Sequence, residues 1–308
     1  MYYWSVQAVD KGFKASEFSE EKTFTLTYDW KILNQGGIEN KSIPARNTPI
    51  LEFLDLDNDN DFDLIYGQSG NGSKVYSYVQ GYLLQNNSYS FSHGIQDFEI
   101  GDINNDGSLD VIARLGTTQN QVYLSGLNSN DSIALTNVNF NTNELFERNQ
   151  KVADLNNDGA LEIINIGITS ENEYFARFNM FSSNLEGNQN NFTTQDISSN
   201  FSAVSQMFAP SFDIGDFDND QDVDVIISGD LIFGENITKI FENTTVAGSS
   251  EITFVETNDN IPGVKNGSTN FIDFDSDGDL DILISGKDNV DNDVFDLYSN
   301  TGSGAWPK

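Results

Sequence analysis

The chain has 308 residues, 37% of them hydrophobic, including 23 Phe and 11 Tyr, and this is enough apolar material for a sizeable core. Its 48 Asp and Glu residues outnumber 15 Lys and Arg residues, which gives a formal net charge of -33. A charge of that sign repels nucleic acid and anionic membrane surfaces, so we expect neither as a partner. The lack of Cys excludes disulfides and thiolate sites, and a single His excludes histidine-rich metal centres.

The first predicted elements are two strands near the N-terminus. Residues 2–10 (YYWSVQAVD) alternate aromatic or apolar with polar side chains, and residues 22–28 (KTFTLTY) form a second such stretch. The pair resembles the last two strands of a fibronectin type III domain. We therefore expect residues 1–28 to be the trailing strands of a preceding domain or a linker, and residues 29–308 to form a domain of their own. The start has no signal-peptide pattern, so an export signal would either lie further upstream or be absent.

A segment of eleven residues then recurs five times without gaps. The copies are DLDNDNDFDLI from Asp55, DINNDGSLDVI from Asp102, DLNNDGALEII from Asp154, DFDNDQDVDVI from Asp216 and DFDSDGDLDIL from Asp273. Their starts are 47, 52, 62 and 57 residues apart, which is a length that suits four short strands per repeat.

Apolar residues on both sides of each copy predict a strand, a tight polar loop and a second strand. A glycine that follows each copy predicts a turn, at Gly67, Gly116, Gly167, Gly229 and Gly286. Third strands are predicted at residues 75–79, 121–124, 239–241 and 295–298, and fourth strands at residues 88–92 and 252–256. Helical periodicity of any length is missing, so the chain is predicted to be all-β.

One four-stranded sheet cannot bury both of its faces, so neighbouring sheets must stack, and this favours a β-propeller with five visible blades. The last repeat has no room for a fourth strand. Residues 29–55 resemble residues 252–275, so residues 30–33 would supply that strand and close a five-bladed ring. Alternatively, the chain is a fragment of a protein that continues into a sixth and a seventh blade.

The repeated loops are predicted to hold calcium. Ca²⁺ takes six to eight oxygen ligands, and each loop offers side-chain oxygens at positions 1, 3, 5 and 9. These residues are Asp55, Asp57, Asp59 and Asp63; Asp102, Asn104, Asp106 and Asp110; Asp154, Asn156, Asp158 and Glu162; Asp216, Asp218, Asp220 and Asp224; Asp273, Asp275, Asp277 and Asp281. Position 7 would add a backbone carbonyl from Asp61, Ser108, Ala160, Asp222 and Asp279. We expect about five structural Ca²⁺ sites of this kind, because like charges so close must otherwise repel.

Position 6 is predicted to adopt a left-handed conformation, which Gly allows in three loops, Asn60 tolerates and Gln221 tolerates less well. An EF-hand is excluded because it needs a bidentate Glu at position 12 between helices. The residues at position 12 lie in predicted strands and are Tyr66, Ala113, Asn165, Ile227 and Ile284. Mg²⁺ is a poorer fit because it keeps several of its waters.

The five in-register copies follow D-x-[DN]-x-D-G-x-x-D, apart from Asn60 and Gln221 at position 6 and Glu162 at position 9. They resemble the FG-GAP/VCBS repeats of integrin-α-like propellers. The resemblance covers residues 29 to the end. It implies a secreted or cell-surface protein and a role in adhesion, in ligand binding or beside an enzyme. We therefore expect a monomeric, non-catalytic module within a multidomain chain, with a protein or glycan ligand and no membrane insertion.

Two other functions stay open. A carbohydrate-binding module attached to a polysaccharide-degrading enzyme could stack sugars on Tyr76, Tyr78, Tyr82 and Tyr89, although packing between blades explains these side chains as well. A catalytic propeller such as a lyase is the other alternative, but no catalytic residue is predicted: His93 is isolated, and no G-x-S-x-G motif occurs. Residues 170–210, which are rich in Asn, Gln and Ser, are the predicted place for a binding loop.

Overall fold

The computed structural model of the chain describes residues 2–4, 22–24, 50–56, 62–67, 73–79, 82–86, 91, 95–115, 119–124, 136–140, 145–169, 176–184, 191–204, 207–232, 234–257, 261–301 and 306. Strands predominate in these residues, and the helical segment among them is a 3-10 helix at Ser198–Val204. The prediction of an all-β chain is therefore confirmed. The chain divides into two compact units, one of Met1–Phe24, Glu144–Ser182 and Thr193–Lys308, the other of Thr25–Asn143 and Ser183–Phe192.

The two predicted N-terminal strands pair with each other. Strand β1 (Tyr2–Trp4) runs antiparallel to β2 (Lys22–Phe24), with Tyr2 opposite Phe24. The remainder of each predicted stretch, residues 5–10 and 25–28, lies outside the described residues. The predicted domain boundary after residue 28 and the closing strand at residues 30–33 lie outside the described residues.

Five further sheets follow, and in each of them the strands lie side by side in chain order. The first sheet contains β3 (Ile50–Leu54), β4 (Asp63–Gly67), β5 (Lys74–Val79) and β6 (Tyr82–Asn86). The second contains β7 (Ile95–Gly101), β8 (Asp110–Leu115), β9 (Gln119–Leu124) and β10 (Thr136–Phe140). The third contains β11 (Leu145–Ala153), β12 (Glu162–Thr169), β13 (Ala176–Asn184) and β14 (Asn191–Asp196). The fourth contains β15 (Met207–Gly215), β16 (Asp224–Leu231), β17 (Asn236–Asn243) and β18 (Phe254–Glu256). The fifth contains β19 (Lys265–Ile272), β20 (Asp281–Lys287) and β21 (Asp293–Tyr298).

The predicted third strands are confirmed as β5, β9, β17 and β21, and the fourth strand at residues 252–256 is confirmed as β18. In the first sheet the fourth strand is instead β6, which pairs with β5 from Val75 opposite Asn86 to Val79 opposite Tyr82. Of the predicted strand at residues 88–92, only Phe91 is described, and it lies outside any strand.

Three of the five predicted glycine turns are wrong. The strands β12, β16 and β20 contain Gly167, Gly229 and Gly286 in their interior. Gly67 is the last residue of β4, and Gly116 is not among the described residues. The three interior glycines sit opposite β-bulges, where the first strand of each sheet skips register. A bulge brings an extra residue against its partner strand, and glycine leaves room for it. At Gly286, a Cβ atom would lie 2.8 Å from the carbonyl oxygen of Lys265.

Within each unit, consecutive sheets bury their faces against each other. Strand β16 shows this best, because all of its first six residues are buried. Val225 and Ile227 belong to a core shared with the third sheet, while Ile226 belongs to a core shared with the fifth. Successive side chains of a strand point to opposite faces, so the fourth sheet is covered on both sides. The first and second sheets share a core of their own around Ile65 and Val111.

The segment at residues 170–210 differs from the predicted binding loop. Its described residues form β13, β14, the 3-10 helix and the start of β15. Phe201 of the 3-10 helix is fully buried, with its ring centroid 4.8 Å from that of Phe241 and 5.1 Å from that of Phe254. This helix therefore covers the edge of the core between the third and fourth sheets. The abundance of Asn, Gln and Ser in the sequence of the segment concealed the apolar residues that do this.

Candidate metal-binding loops

The five acidic loops occupy the same place in the five sheets. Each runs from the end of the first strand to the start of the second, and its position 9 is the first residue of that second strand. We number the loops after their sheets, so the first loop is residues 55–63 and the others are 102–110, 154–162, 216–224 and 273–281. In the first loop, Asp57, Asp59 and Asp61 lie outside the described residues.

The carboxylate at position 9 is buried in all five loops, and it accepts a hydrogen bond from the backbone N–H of position 2. The N···O distances are 3.3 Å for Leu56 to Asp63, 2.9 Å for Ile103 to Asp110, 3.0 Å for Leu155 to Glu162, 3.1 Å for Phe217 to Asp224 and 3.0 Å for Phe274 to Asp281. An ionisable group is costly to bury unless it forms hydrogen bonds. Position 9 therefore ties the start of each loop to its end.

The side chains at positions 1, 3 and 5 fold the loop around themselves. In the second loop, the N–H of Asp106 donates to Asp102 and to Asn104, both at 3.0 Å, and the N–H of Ser108 donates to Asp106 at 2.8 Å. The third loop makes the same bonds, from Asp158 to Asp154 and Asn156 at 3.1 Å and from Ala160 to Asp158 at 2.8 Å. The oxygens at these alternate positions therefore point inward, as a cation-binding loop requires.

Two backbone positions of the loop are left-handed. Position 6 has φ values of 88° at Gly107, 89° at Gly159, 95° at Gly278 and 81° at Gln221. Position 4 has φ values of 54° at Asn105 and Asn157, 64° at Asn219 and 61° at Ser276, which the sequence analysis did not predict. Asn tolerates this conformation because its short side chain bonds locally, so the Asn at position 4 was an unused signal.

Gln221 is therefore a strained residue, and replacing it is expected to stabilise the protein. A side chain with a Cβ costs about 1 kcal/mol in the left-handed region, and Gly does not pay this cost. Gln221 is exposed, and its backbone N–H, which donates to Asp216 at 3.0 Å, would remain. Gln221→Gly should raise the free energy of unfolding by about 1 kcal/mol, measured by urea titration. Gln221→Ala, which keeps the Cβ, should give no comparable gain, and an equal gain would contradict the explanation by backbone strain.

Groups of three carboxylates converge in the fourth and fifth loops. One oxygen from each of Asp216, Asp218 and Asp224 lies within 4.8 Å of the others, and the same holds for Asp273, Asp275 and Asp277. The second and third loops, both described in full, have no such group of three acidic side chains. In those two loops position 3 is Asn, whose amide N–H₂ donates to the carboxylate of position 5 at 2.9 and 3.1 Å.

The converging carboxylates lack positive partners within the loops. Oδ1 of Asp216 and Oδ1 of Asp273 are buried and have no hydrogen-bond partner. Burial raises the pKa of Asp216 to about 6 and that of Asp224 to about 8, in each case against the lowering effect of backbone N–H donors. In the third loop burial likewise raises the pKa of Glu162 to about 8, with Asp158 and Asp154 adding to the shift. A site that offers only oxygen ligands, some of them buried without a hydrogen-bond partner, suits a hard divalent cation.

Asparagines at the end of the third strand or just after it brace the last two loops, and the sequence analysis missed them. The N–H of Asn243 donates to Asp224 Oδ1 at 2.8 Å, and its Nδ2 donates to the carbonyls of Val223 at 3.1 Å and of Leu155 in the preceding loop at 2.9 Å. Asn300 makes the same bonds one sheet later, to Asp281 at 2.8 Å, to Leu280 at 3.2 Å and to Phe217 at 2.6 Å. Only two repeats carry this Asn, so the five-fold alignment did not reveal it.

Position 4 provides a second link between neighbouring loops. Nδ2 of Asn157 donates to the side chain of Asp222, and Nδ2 of Asn219 donates to Asp279 Oδ1 at 2.6 Å. In both pairs the amide belongs to one loop and the acceptor is position 7 of the next. The third, fourth and fifth loops are therefore joined in series.

Of the other predicted features, His93 and Tyr89 lie outside the described residues. Tyr76 and Tyr78 lie on β5, and Tyr82 lies on β6. The part of the chain that the structure describes contains no helix of a length and hydropathy that would allow it to cross a membrane. A scan against protein-family models finds no match for this chain, and a search of the curated proteins finds none either.

Proposed function

We propose that the chain is a non-catalytic, calcium-stabilised β-propeller module of the FG-GAP/VCBS type, from a secreted or cell-surface protein, which binds a protein or glycan ligand. The observation that carries this proposal is the acidic loop, found at the same place in five successive sheets with a buried carboxylate at position 9. A loop conserved in place and in hydrogen bonding from sheet to sheet is a structural element of the repeat.

The packing of the sheets supports the propeller architecture. In each compact unit, neighbouring sheets pack face to face, and β16 buries alternate side chains on both sides. Stacked four-stranded sheets of this size are how propeller blades bury their faces. The bonds from one loop to the next place these loops in series on the stack, as expected if every blade presents its loop at the same end.

The loop chemistry supports calcium. The fourth and fifth loops bring oxygens together and leave two of them buried without a partner, and this arrangement suits a cation with six to eight oxygen ligands. The chain also carries a formal charge of -33, so clustered acids are costly to hold together without a counter-ion. The ion would supply structural rigidity, with positions 1, 3, 5 and 9 as its side-chain ligands.

A direct binding measurement tests this proposal. The chain is stripped of metal, equilibrated with Ca²⁺, passed through a desalting column and assayed for calcium and protein. We expect retention of several Ca²⁺ per chain, with a limit of about five, and little competition from an equal concentration of Mg²⁺. Failure to retain or titrate any Ca²⁺ would refute the calcium assignment.

The ligand is then sought with glycan and protein arrays, each probed with the Ca²⁺-loaded chain and again in EGTA. We expect binding that the chelator abolishes, since the loops stiffen the surface that would hold the ligand. Turnover of a polysaccharide by the chain alone would contradict the non-catalytic assignment.

A further inference from the structure

The fourth loop faces an acidic side chain that the repeated motif does not contain. Strands β16 and β17 pair with Val225 opposite Phe241, so the next pair in register is Asp224 with Glu242. The register places an uncharged residue opposite position 9 in the other four sheets, namely Ser77, Leu124, Ser182 and Ser299. Glu242 is thus peculiar to the fourth sheet.

Glu242 lies within coordinating distance of the loop. One of its carboxylate oxygens and one oxygen from each of Asp218 and Asp220 lie within 4.8 Å of one another. Asp218 also belongs to the group formed with Asp216 and Asp224, so it joins the two groups into one cluster of five carboxylates.

This arrangement is unfavourable unless a cation lies among the side chains. Asp218 and Asp220 are carboxylates like Glu242, and like charges held so close together repel one another. The lysine on the same strand does not offset the charge of Glu242, because Lys239 forms its salt bridge with Glu256 at 2.5 Å. A separate observation also points to a ligand: Asp216 is 5% exposed, and its buried Oδ1 has no hydrogen-bond partner.

From this geometry we infer that Glu242 is a further ligand of the fourth loop's cation site, and that it makes this site bind a divalent oxygen-seeking cation more tightly than the other loops do. The affinity of such sites rises with the number of charged ligands. The inference rests on the proposed function, since it takes Ca²⁺ as the ion. It assigns to a third-strand residue a role that the loop motif gives only to its own positions.

The test compares Ca²⁺ titrations, against a competing chromophoric chelator, of the unaltered chain, Glu242→Gln and Glu242→Ser. The serine variant reproduces the residue found opposite position 9 in three other sheets, so the fold should accept it. Both variants should weaken one site about tenfold and leave the remaining sites unchanged. Glu235→Gln makes the same change of charge at an exposed residue just before β17, and it should change the affinity of no site more than twofold.

A second comparison separates direct ligation from a general effect of charge. Glu242→Gln is also made in a chain that already carries Asp216→Asn, a change that removes a ligand of the same site. In that chain Glu242→Gln should have no further effect on the Ca²⁺ affinity of the remaining sites. Equal weakening by Glu235→Gln, or full retention of the tight site in Glu242→Gln, would overturn the inference while leaving calcium binding intact. If the unaltered chain itself takes up no Ca²⁺, the proposed function fails first.

Discussion

Adding EGTA to the calcium-loaded chain is expected to lower the melting temperature by about 10–20 °C. A ligand present at a hundred times its Kd stabilises the folded state by about 2.7 kcal/mol per site. The fourth and fifth loops, which have converging carboxylates, lie in the same compact unit, so their loss together removes roughly 5 kcal/mol. Each kcal/mol corresponds to about 2–4 °C in a unit of this size. Differential scanning calorimetry measures the shift.

The control for this experiment is a variant chain that lacks the two buried oxygens without a hydrogen-bond partner, one in the fourth loop and one in the fifth. Asp216→Asn combined with Asp273→Asn should melt at a lower temperature in Ca²⁺ than the unaltered chain, and EGTA should shift it less. Replacing Ca²⁺ by Mg²⁺ should restore only part of the stability, because Mg²⁺ gives up its waters reluctantly. A melting temperature that does not respond to EGTA would show that the loops are stable as acidic turns without metal.

The sequence predicted the features that every repeat shares better than the details of single strands. Five aligned copies showed where each loop lies and which strands flank it, because every copy repeats the same alternation of apolar residues. Three of the glycines that follow the copies were misread as turns, because a glycine opposite a bulge has the same sequence signature as one in a turn. Register skips between Phe146 and Asn149, or Lys265 and Ser268, arise from pairing with the next strand, which the pattern of one strand alone does not reveal.

The candidate site likewise has parts that the sequence predicted and parts that it did not. The ligand positions of the loop follow from spacing, since alternate side chains of a curled loop point inward. The supporting residues Asn243 and Asn300 could not be found by spacing, because their partners lie 88 and 83 residues earlier at Leu155 and Phe217. Glu242 was missed for a related reason: only the register between β16 and β17 brings it to the loop.

Asp224→Ala is expected to destabilise the metal-free chain by about 4 kcal/mol, although it removes an acid from a crowded acidic cluster. Asp224 accepts the backbone N–H groups of Phe217 at 3.1 Å and Asn243 at 2.8 Å, and each donor left unbonded costs about 1–3 kcal/mol. Removing its charge brings little relief, because burial raises the pKa of this carboxyl to about 8 and it is largely protonated at pH 7. Asp220→Ala is the matched control, since Asp220 is exposed and lies among the same carboxylates.

The two variants should therefore differ in the free energy of unfolding in EGTA but resemble each other in their loss of Ca²⁺ affinity. Without metal, Asp220→Ala should change the free energy of unfolding by no more than about 1 kcal/mol, because it loses only an exposed hydrogen bond from the N–H of Asp222, at 2.9 Å, while repulsion among the carboxylates falls. With Ca²⁺ present, both variants lose a ligand and both should lose affinity at the fourth loop. Urea titrations in EGTA and in Ca²⁺ give the four values needed. If Asp224→Ala proved as harmless as Asp220→Ala in EGTA, position 9 would serve the cation alone, and the buried hydrogen bonds at the loop's base would not hold the repeat together.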